Sequence, residues 1–287
     1  MFSGMKIKIK FIRKIINYIK QLSEHPIRIS LVVLLVLSVF VLGLSLPYYL
    51  YDFKNFFPQI LAEAHGMLFD IAIIGILIFW LNTIGETRQR IRTYIDEIDD
   101  FRLWESEESA FRTAGNIKRL NRHKIYNINL ANSYLNRTNL NYVILKDSNL
   151  NSARINESLM IGANLDHTRL NQTNFENTNL NHSSIKKAFA NGANFKGAFL
   201  INTDFENTFL IKADFENAIL METNLRYCDL SGANLQGCNL FKADLRGAIG
   251  LTKEQLAEVK TLFKAQLDEN VIQEMQAFKA NLLEKNG

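Results

Sequence analysis

The chain has 287 residues, 47% of them apolar, and a formal net charge of +4. Two cysteines are too few for a framework of disulfides, and the mild overall charge argues against a nucleic-acid binder, which needs a basic surface to release counterions. The charge is uneven, because residues 1–28 carry seven basic residues, whereas residues 127–249 carry 11 basic and 11 acidic residues.

Residues 1–28 form a basic amphipathic leader. Its apolar residues fall on one face of a helix, with lysines on the other: Phe11, Ile12, Ile15, Ile19 and Leu22. This pattern is typical of an interfacial helix on an anionic membrane leaflet. The alternative is a plain charged leader that only orients the segment after it.

Residues 29–84 predict a transmembrane hairpin of two helices. Residues 29–51 are 23 residues without a charge, long enough at about 1.5 Å per residue to cross a hydrocarbon core of about 30 Å. Residues 66–84 form the second, weaker span. Basic residues precede the first span and follow the second, with only Lys54 between them. The positive-inside rule therefore predicts a protein of the bacterial inner membrane, with both termini and everything after residue 84 in the cytosol.

Asp70 is an acid inside the second predicted span. An ionisable residue within a membrane is by default a functional candidate. The alternative is that Asp70 lies close enough to the outer boundary to reach water or His65.

Residues 85–124 predict a helical linker and an N-terminal cap. Ile91, Ile95, Ile98 and Phe101 recur at helical spacing. Ser106 is a candidate N-cap for a second helix that ends near Arg122. Its apolar residues, Phe111, Ile117 and Leu120, are expected to cover the open end of the repeat domain, since an uncovered ladder end attracts other strands.

Residues 125–249 repeat with a period of five. A large apolar residue, the centre of each repeat, occurs at every fifth position from Leu130 to Leu245, which makes 24 repeats, and the residue two before it is small in nearly all of them. Four five-residue sides close a square coil of 20 residues, and coils stack at the ordinary strand spacing of about 4.8 Å. Only Ala190 is a small centre. It predicts either a thin core or a bulge that turns Phe189 inward.

Stretches such as GANL, KADF and KADL resemble the pentapeptide-repeat family, whose consensus is A-(D/N)-L-x-x. The resemblance implies an all-β solenoid, a right-handed quadrilateral β-helix of about six coils. The flanking residues 106–122 and 250–268 also resemble segments beside the repeats of bacterial membrane-anchored members. The family has no single activity, so the resemblance implies a fold and leaves the function open.

Residues 250–287 predict C-terminal helices. Thr252 and Gln255 read as a capping box, and Leu256, Val259 and Leu262 form an apolar stripe. These helices are expected to cap the last coil, to pair with a second copy or to lie along the rod.

No catalytic, cofactor-binding or metal-binding pattern is apparent, so an enzyme is not expected. The two cysteines, Cys228 and Cys238, occupy small inward positions and read as core residues.

One wall of the predicted rod carries large apolar residues that point outward. They are Leu159, Ile161, Phe199, Ile201, Ile219, Met221 and Phe241. A contiguous apolar surface normally has a partner, which makes these the candidate partner-binding residues. The alternative is that the chain's own C-terminal helix covers them.

The sequence therefore favours a non-enzymatic, membrane-anchored scaffold whose cytosolic rod binds another protein or a second copy. One alternative is an oligomeric channel or membrane-acting effector that uses the hairpin and Asp70. Another follows from the resemblance, since some quinolone-resistance members mimic DNA and bind a topoisomerase through an acidic rod. The balance of 11 basic against 11 acidic residues makes that reading the weakest of the three.

Overall fold

The computed structural model describes residues 39–40, 42–43, 46–47, 50–51 and 53–284. It divides into two compact units, residues 1–83 and 84–287. The leader and most of the first predicted span lie outside the described residues, so the leader and the two-span hairpin remain predictions.

Helix α1 covers Phe53–Phe101 and contains the whole of the second predicted span. Length and composition make its stretch Phe57–Phe101 a candidate to cross a membrane. Within the first unit its large apolar side chains are exposed, among them Phe69, Ile76 and Phe79.

The second unit begins with the last turns of α1 and helix α2, Glu107–Arg122. Ser106 caps α2 through a reciprocal hydrogen-bonded box with Ser109. Ile117 and Leu120 are buried against the repeat domain, and Ile98 of α1 is buried with them. Phe111, which the sequence assigned to the same cap, is instead 61% exposed, because it lies on the opposite face of α2.

The repeat domain is a ladder of single-residue parallel bridges in register. Each bridge joins a residue to the one 20 positions later, from Asn129–Asn149 to Asp229–Ile249. No extended strand occurs in the described part of the chain, because each side is too short to pair more than one residue before the corner. The solenoid is therefore built from bridges and turns. At the corners, the second residue after each centre has a positive φ, as at Asn132 and Gly192.

The centres of the repeats form the core, and every one from Leu130 to Leu245 is at most 2% exposed. Phe175, Phe195 and Phe215 stack from coil to coil, with ring centroids 5.1 and 4.9 Å apart. Phe205, from the opposite wall, meets Phe195 edge to face at 5.6 Å.

Ala190 is fully buried in the same core. The register continues unbroken through its repeat, and Phe189 points outward, where it stacks on Phe209. The bulge expected at Phe189 is therefore absent.

The C-terminal segment is only partly helical, although the sequence predicts helices for residues 250–287. Helix α3 is only Lys253–Ala257, with the predicted capping box between Thr252 and Gln255. After it the ladder resumes, since Thr261 bridges Asn239 and Gln266 bridges Asp244, each now 22 residues apart. Helix α3 thus takes the place of one five-residue side and makes its coil two residues longer. Residues 258–267 then form further sides of the ladder.

Helix α4, Glu269–Lys279, and the 3-10 turn Ala280–Leu282 close this end of the ladder. Met275 and Leu282 are buried in the core cluster. The backbone amide of Leu262 donates to the carbonyl of Leu282 at 2.8 Å. This hydrogen bond replaces the one that the next coil of a longer ladder would accept. Of the roles left open for the C-terminal helices, the structure therefore shows the cap.

Candidate interaction surface

The apolar wall predicted from the sequence lies on one side of the rod. Its inward residues run from Leu140 to Leu240, and each is flanked by two outward residues. Leu159 and Phe199 are each 42% exposed, and the other five candidate residues are partly exposed. The C-terminal helices cap the ladder end through Met275 and Leu282, and Leu256, Val259 and Leu262 are themselves buried in the core. The apolar residues of the C-terminal segment are therefore buried at the ladder end and do not cover the wall.

Two asparagines divide the wall into a lower patch, formed by Leu159 and Ile161, and an upper patch nearer the C-terminal end of the rod. Asn179 and Asn181 stand between the coil of Leu159 and Ile161 and the coil of Phe199. The amide of Ile201 donates to Oδ1 of Asn181 at 2.8 Å, and the amide of Asn181 donates to Oδ1 of Asn179 at 3.1 Å. These side chains cap the backbone of their own wall, so this coil is polar.

Phe263 belongs to the upper patch, although the sequence predicts a helix at this position. Its ring stacks on Phe241 with centroids 5.8 Å apart, because the ladder resumes after α3. The upper apolar patch is therefore formed by Phe199, Ile201, Ile219, Met221, Phe241 and Phe263. The sequence contains a sign of this. Leu262 and Leu267 are again five residues apart, but they lie two residues later than the repeat centres up to Leu245 would predict.

The six residues of the upper apolar patch lie in two columns along the rod, which also hold Asn239 and Thr261, and a third row borders them. The residue after each centre forms the apolar column: Ile201, Met221, Phe241 and Phe263. The residue before each centre forms the mixed column: Phe199, Ile219, Asn239 and Thr261. Beside the apolar column runs the corner row: Asn202, Glu222, Lys242 and Lys264. The side chains of Lys242 and Glu222 form an ion pair at 2.8 Å, and that contact lowers the pKa of Glu222.

The opposite wall carries a smaller apolar feature. Phe189 and Phe209 stack at 5.3 Å with nearly parallel rings, and Phe209 is 43% exposed. The pair is as exposed as Phe199, but it is confined to two coils and so offers a smaller apolar area.

The two remaining walls are polar, and lysines bridge their acids. Lys196 lies 2.8 Å from Glu216 and 3.3 Å from Asp214, contacts that raise the pKa of Lys196. Lys186 pairs with Asp204 at 2.7 Å. These ion pairs neutralise part of the negative charge of the two polar walls.

The two cysteine thiols lie in the core. Cys228 Sγ donates to the carbonyl of Phe205 at 2.9 Å, and Cys238 Sγ donates to that of Phe215 at 2.8 Å. Burial raises the pKa of each thiol to about 12. Neither thiol is a nucleophile at neutral pH, because the thiolate is the reactive form.

No group of side chains among the described residues could hold a metal ion. Asp70 is exposed on α1, and no described contact assigns it a role, so its part in a channel stays a hypothesis.

A polar groove of about 390 Å³, which the sequence did not predict, lies between residues 103–105 and the first coils. Arg154 and Glu105 form an ion pair of 2.7 Å beside it. Its sides are mostly polar and include Tyr134 and Gln172. The pairing of Arg154 with Glu105 ties the linker to the rod.

Comparison with known proteins supports the repeat assignment. The family model for pentapeptide repeats matches residues 158–197, 198–237 and 218–249. No protein with a curated description matches the chain.

Several solved structures are similar to the chain. Trypsin-treated QnrB1, a plasmid-mediated fluoroquinolone resistance protein, is 14% identical, with 56% of this chain and 85% of that chain covered and a TM-score of 0.31. The pentapeptide repeat protein alr5209 from Nostoc PCC 7120 is 27% identical, with coverages of 38% and 84% and a TM-score of 0.29. AT2G44920 from the Arabidopsis thaliana thylakoid lumen is 24% identical, with coverages of 39% and 77% and a TM-score of 0.22.

Proposed function

We propose that the protein is a non-enzymatic interaction module in which the upper apolar patch binds another protein surface. The observation that carries the proposal is the exposure of this patch on a ladder whose two ends are covered by the chain's own helices. Flat, regular surfaces without a concave site bind by area and shape. Covering apolar surface stabilises a complex by about 25 cal/mol per Å², before the costs of association.

The rod is a suitable support for such a surface because its backbone is rigid and satisfied internally. Each side donates to the coil after it, as from the Leu200 amide to the Ile219 carbonyl at 2.9 Å. Little ordering is therefore required when a partner binds, and low ordering costs favour affinity.

Site-specific photocrosslinking tests this proposal in the full-length protein. A benzophenone amino acid replaces Phe199 in one variant and Phe209 in the other. The two phenylalanines are matched in type, position within the repeat and exposure, 42% and 43%, but lie on opposite walls. We expect a discrete protein adduct from the Phe199 position and none from Phe209. Equal adducts, or none from Phe199, would overturn the proposal.

We further propose that the rod is anchored in the bacterial inner membrane and faces the cytosol. The exposed apolar side chains of α1, such as Phe69, Ile76 and Phe79, support an anchored protein, because water is a poor environment for such a helix. The basic leader and the basic residues after the second predicted span support the orientation.

An exposed thiol tests the orientation without interference from the two buried cysteines. Lys187→Cys places a thiol on an exposed corner of the rod. In intact cells a membrane-impermeant maleimide should leave it unlabelled, and permeabilised cells should label it fully. Full labelling in intact cells would contradict the cytosolic location.

A further inference from the structure

The upper apolar patch is complementary to itself when its order along the rod is reversed. From the first coil to the last, the apolar column reads Ile201, Met221, Phe241, Phe263. The branched and flexible side chains thus lie in the lower half and the aromatic rings in the upper half. A surface of this kind suits an isologous contact, in which each half of the patch meets the other half of an identical patch.

We infer that this patch docks a second copy of the chain, with the two rods antiparallel about a two-fold axis between the coils of Met221 and Phe241. The inference rests on the proposed function, because it names the partner of the same surface. The rotation places each column over its own counterpart and reverses the order of coils. Met221 then faces Phe241 of the second copy, and Ile201 faces its Phe263. Contacts between a thioether and an aromatic ring are favourable.

The corner row gives the same arrangement a charge complementarity. Glu222 and Lys242 are neighbours across the proposed axis, on the coils just below and above it. Reversal therefore brings Glu222 of each copy opposite Lys242 of the other. These side chains are 40% and 46% exposed, so they can reach across the interface while they keep their own ion pair.

A parallel pair of rods fits the patch less well. A two-fold axis along the rods would place the apolar column over the mixed column. Phe241 would then lie on Asn239 of the second copy and Phe263 on its Thr261. The antiparallel pair also covers Asn239 and Thr261, and each of these side chains accepts a hydrogen bond from the backbone of its own wall in either arrangement. The charges therefore separate the two arrangements, because Glu222 has an opposite charge to face only in the antiparallel pair.

The extent of the patch predicts a weak dimer. The two columns and the corner row supply about twelve side chains per copy, roughly half of the 20–30 that each partner contributes to an interface of standard size. Self-association should therefore depend on concentration and be sensitive to a single reversed charge.

Charge reversal in two differently tagged full-length copies tests the arrangement. The copies are co-expressed and solubilised in mild detergent, one tag is captured, and recovery of the other is measured. When both copies carry Glu222→Lys, lysine faces lysine at both symmetric contacts, and we expect recovery to fall by about fivefold or more. When both copies carry Lys242→Glu, we expect the same fall.

The mixed pair is the decisive measurement. When one copy carries Glu222→Lys and the other Lys242→Glu, both contacts across the axis are again between opposite charges. The ion pair within each copy stays broken. We expect recovery to return to within about twofold of the wild type. Recovery as low as in the single variants, or single variants that do not fall, would overturn the inference.

Arg137 and Glu157 provide the matched control. They form the same kind of ion pair between successive coils, at 2.8 Å, on a distant corner of the rod. Reversing either charge should leave recovery unchanged, and a fall equal to that of Glu222→Lys would overturn the inference. Protection of Cys228 and Cys238 from a thiol reagent verifies that each variant is folded.

The two proposals fail in different ways. If Phe199 crosslinks to a different protein and charge reversal has no effect, the proposed function stands and self-docking is rejected. If Phe199 gives no adduct and charge reversal has no effect, both are rejected.

Discussion

Phe215 lies at the centre of the aromatic core, and its removal should open the rod beside Cys238. The Phe215 ring is fully buried, stacks on Phe195 at 4.9 Å and meets Phe205 edge to face at 6.1 Å. Its carbonyl accepts the Cys238 thiol. Replacing a buried phenylalanine with alanine costs about 3–5 kcal/mol, because the cavity closes only in part. A rigid ladder has little freedom to collapse, so we expect Phe215→Ala to fall in this range.

The two native thiols are a built-in probe for this prediction. A buried thiol reacts only when its coil opens, so the labelling rate reports the opening equilibrium. With tenfold for each 1.4 kcal/mol, Phe215→Ala should accelerate labelling of Cys238 by about a hundredfold to a few thousandfold. The assay uses the full-length protein at neutral pH and follows modification of Cys228 and Cys238 by mass.

Phe209→Ala is the matched control, because Phe209 is 43% exposed and stacks only on the outer surface. It should cost about 1 kcal/mol or less and change the rate by roughly fivefold at most. Similar acceleration in the two variants would mean that the inner and outer positions of the repeat are assigned wrongly.

Three further predictions concern the core and the corners. Ala190→Leu should destabilise the rod by about 1–3 kcal/mol, because Ala190 is fully buried and the ladder continues in register through its repeat, so added methyl groups would overpack the core; a gain in unfolding midpoint would reveal a cavity instead. Gly250→Ala should destabilise the rod more than Gly232→Ala. Both have a positive φ, but a Cβ at Gly250 would approach a backbone atom to 2.7 Å and one at Gly232 only a flexible side chain at 3.6 Å; equal unfolding midpoints would contradict this. Above about pH 8.5 an unfolded thiol ionises while Cys228 and Cys238 stay protonated up to about pH 12. Stability should therefore fall with rising pH by about 1.4 kcal/mol per pH unit for each thiol, and a double replacement with alanine should remove that slope.

The period of five was enough to predict the inside and outside of the rod. One unbroken phase from Leu130 to Leu245 assigns each residue to the core or the surface, because a coil of fixed length leaves no freedom of register. The two helix N-caps were predicted for the same kind of reason, although the reciprocal box of Ser106 with Ser109 was seen only in the structure. A cap depends on residues three apart, and Ser106 and Thr252 each begin a short helix.

Only the tertiary structure decided where the ladder ends and what the C-terminal helices cover. Leu262 was predicted to lie on an apolar helical stripe with Leu256 and Val259, because the three residues are spaced three apart. The pairing of residues 261–267 with Asn239 and Asp244 depends on α3 taking the place of one side, which adds two residues to that coil. Phe263 joins the upper apolar patch for that reason alone. Local sequence sets the period, but whether a segment extends the ladder or covers it depends on which distant backbone groups still lack a hydrogen-bond partner.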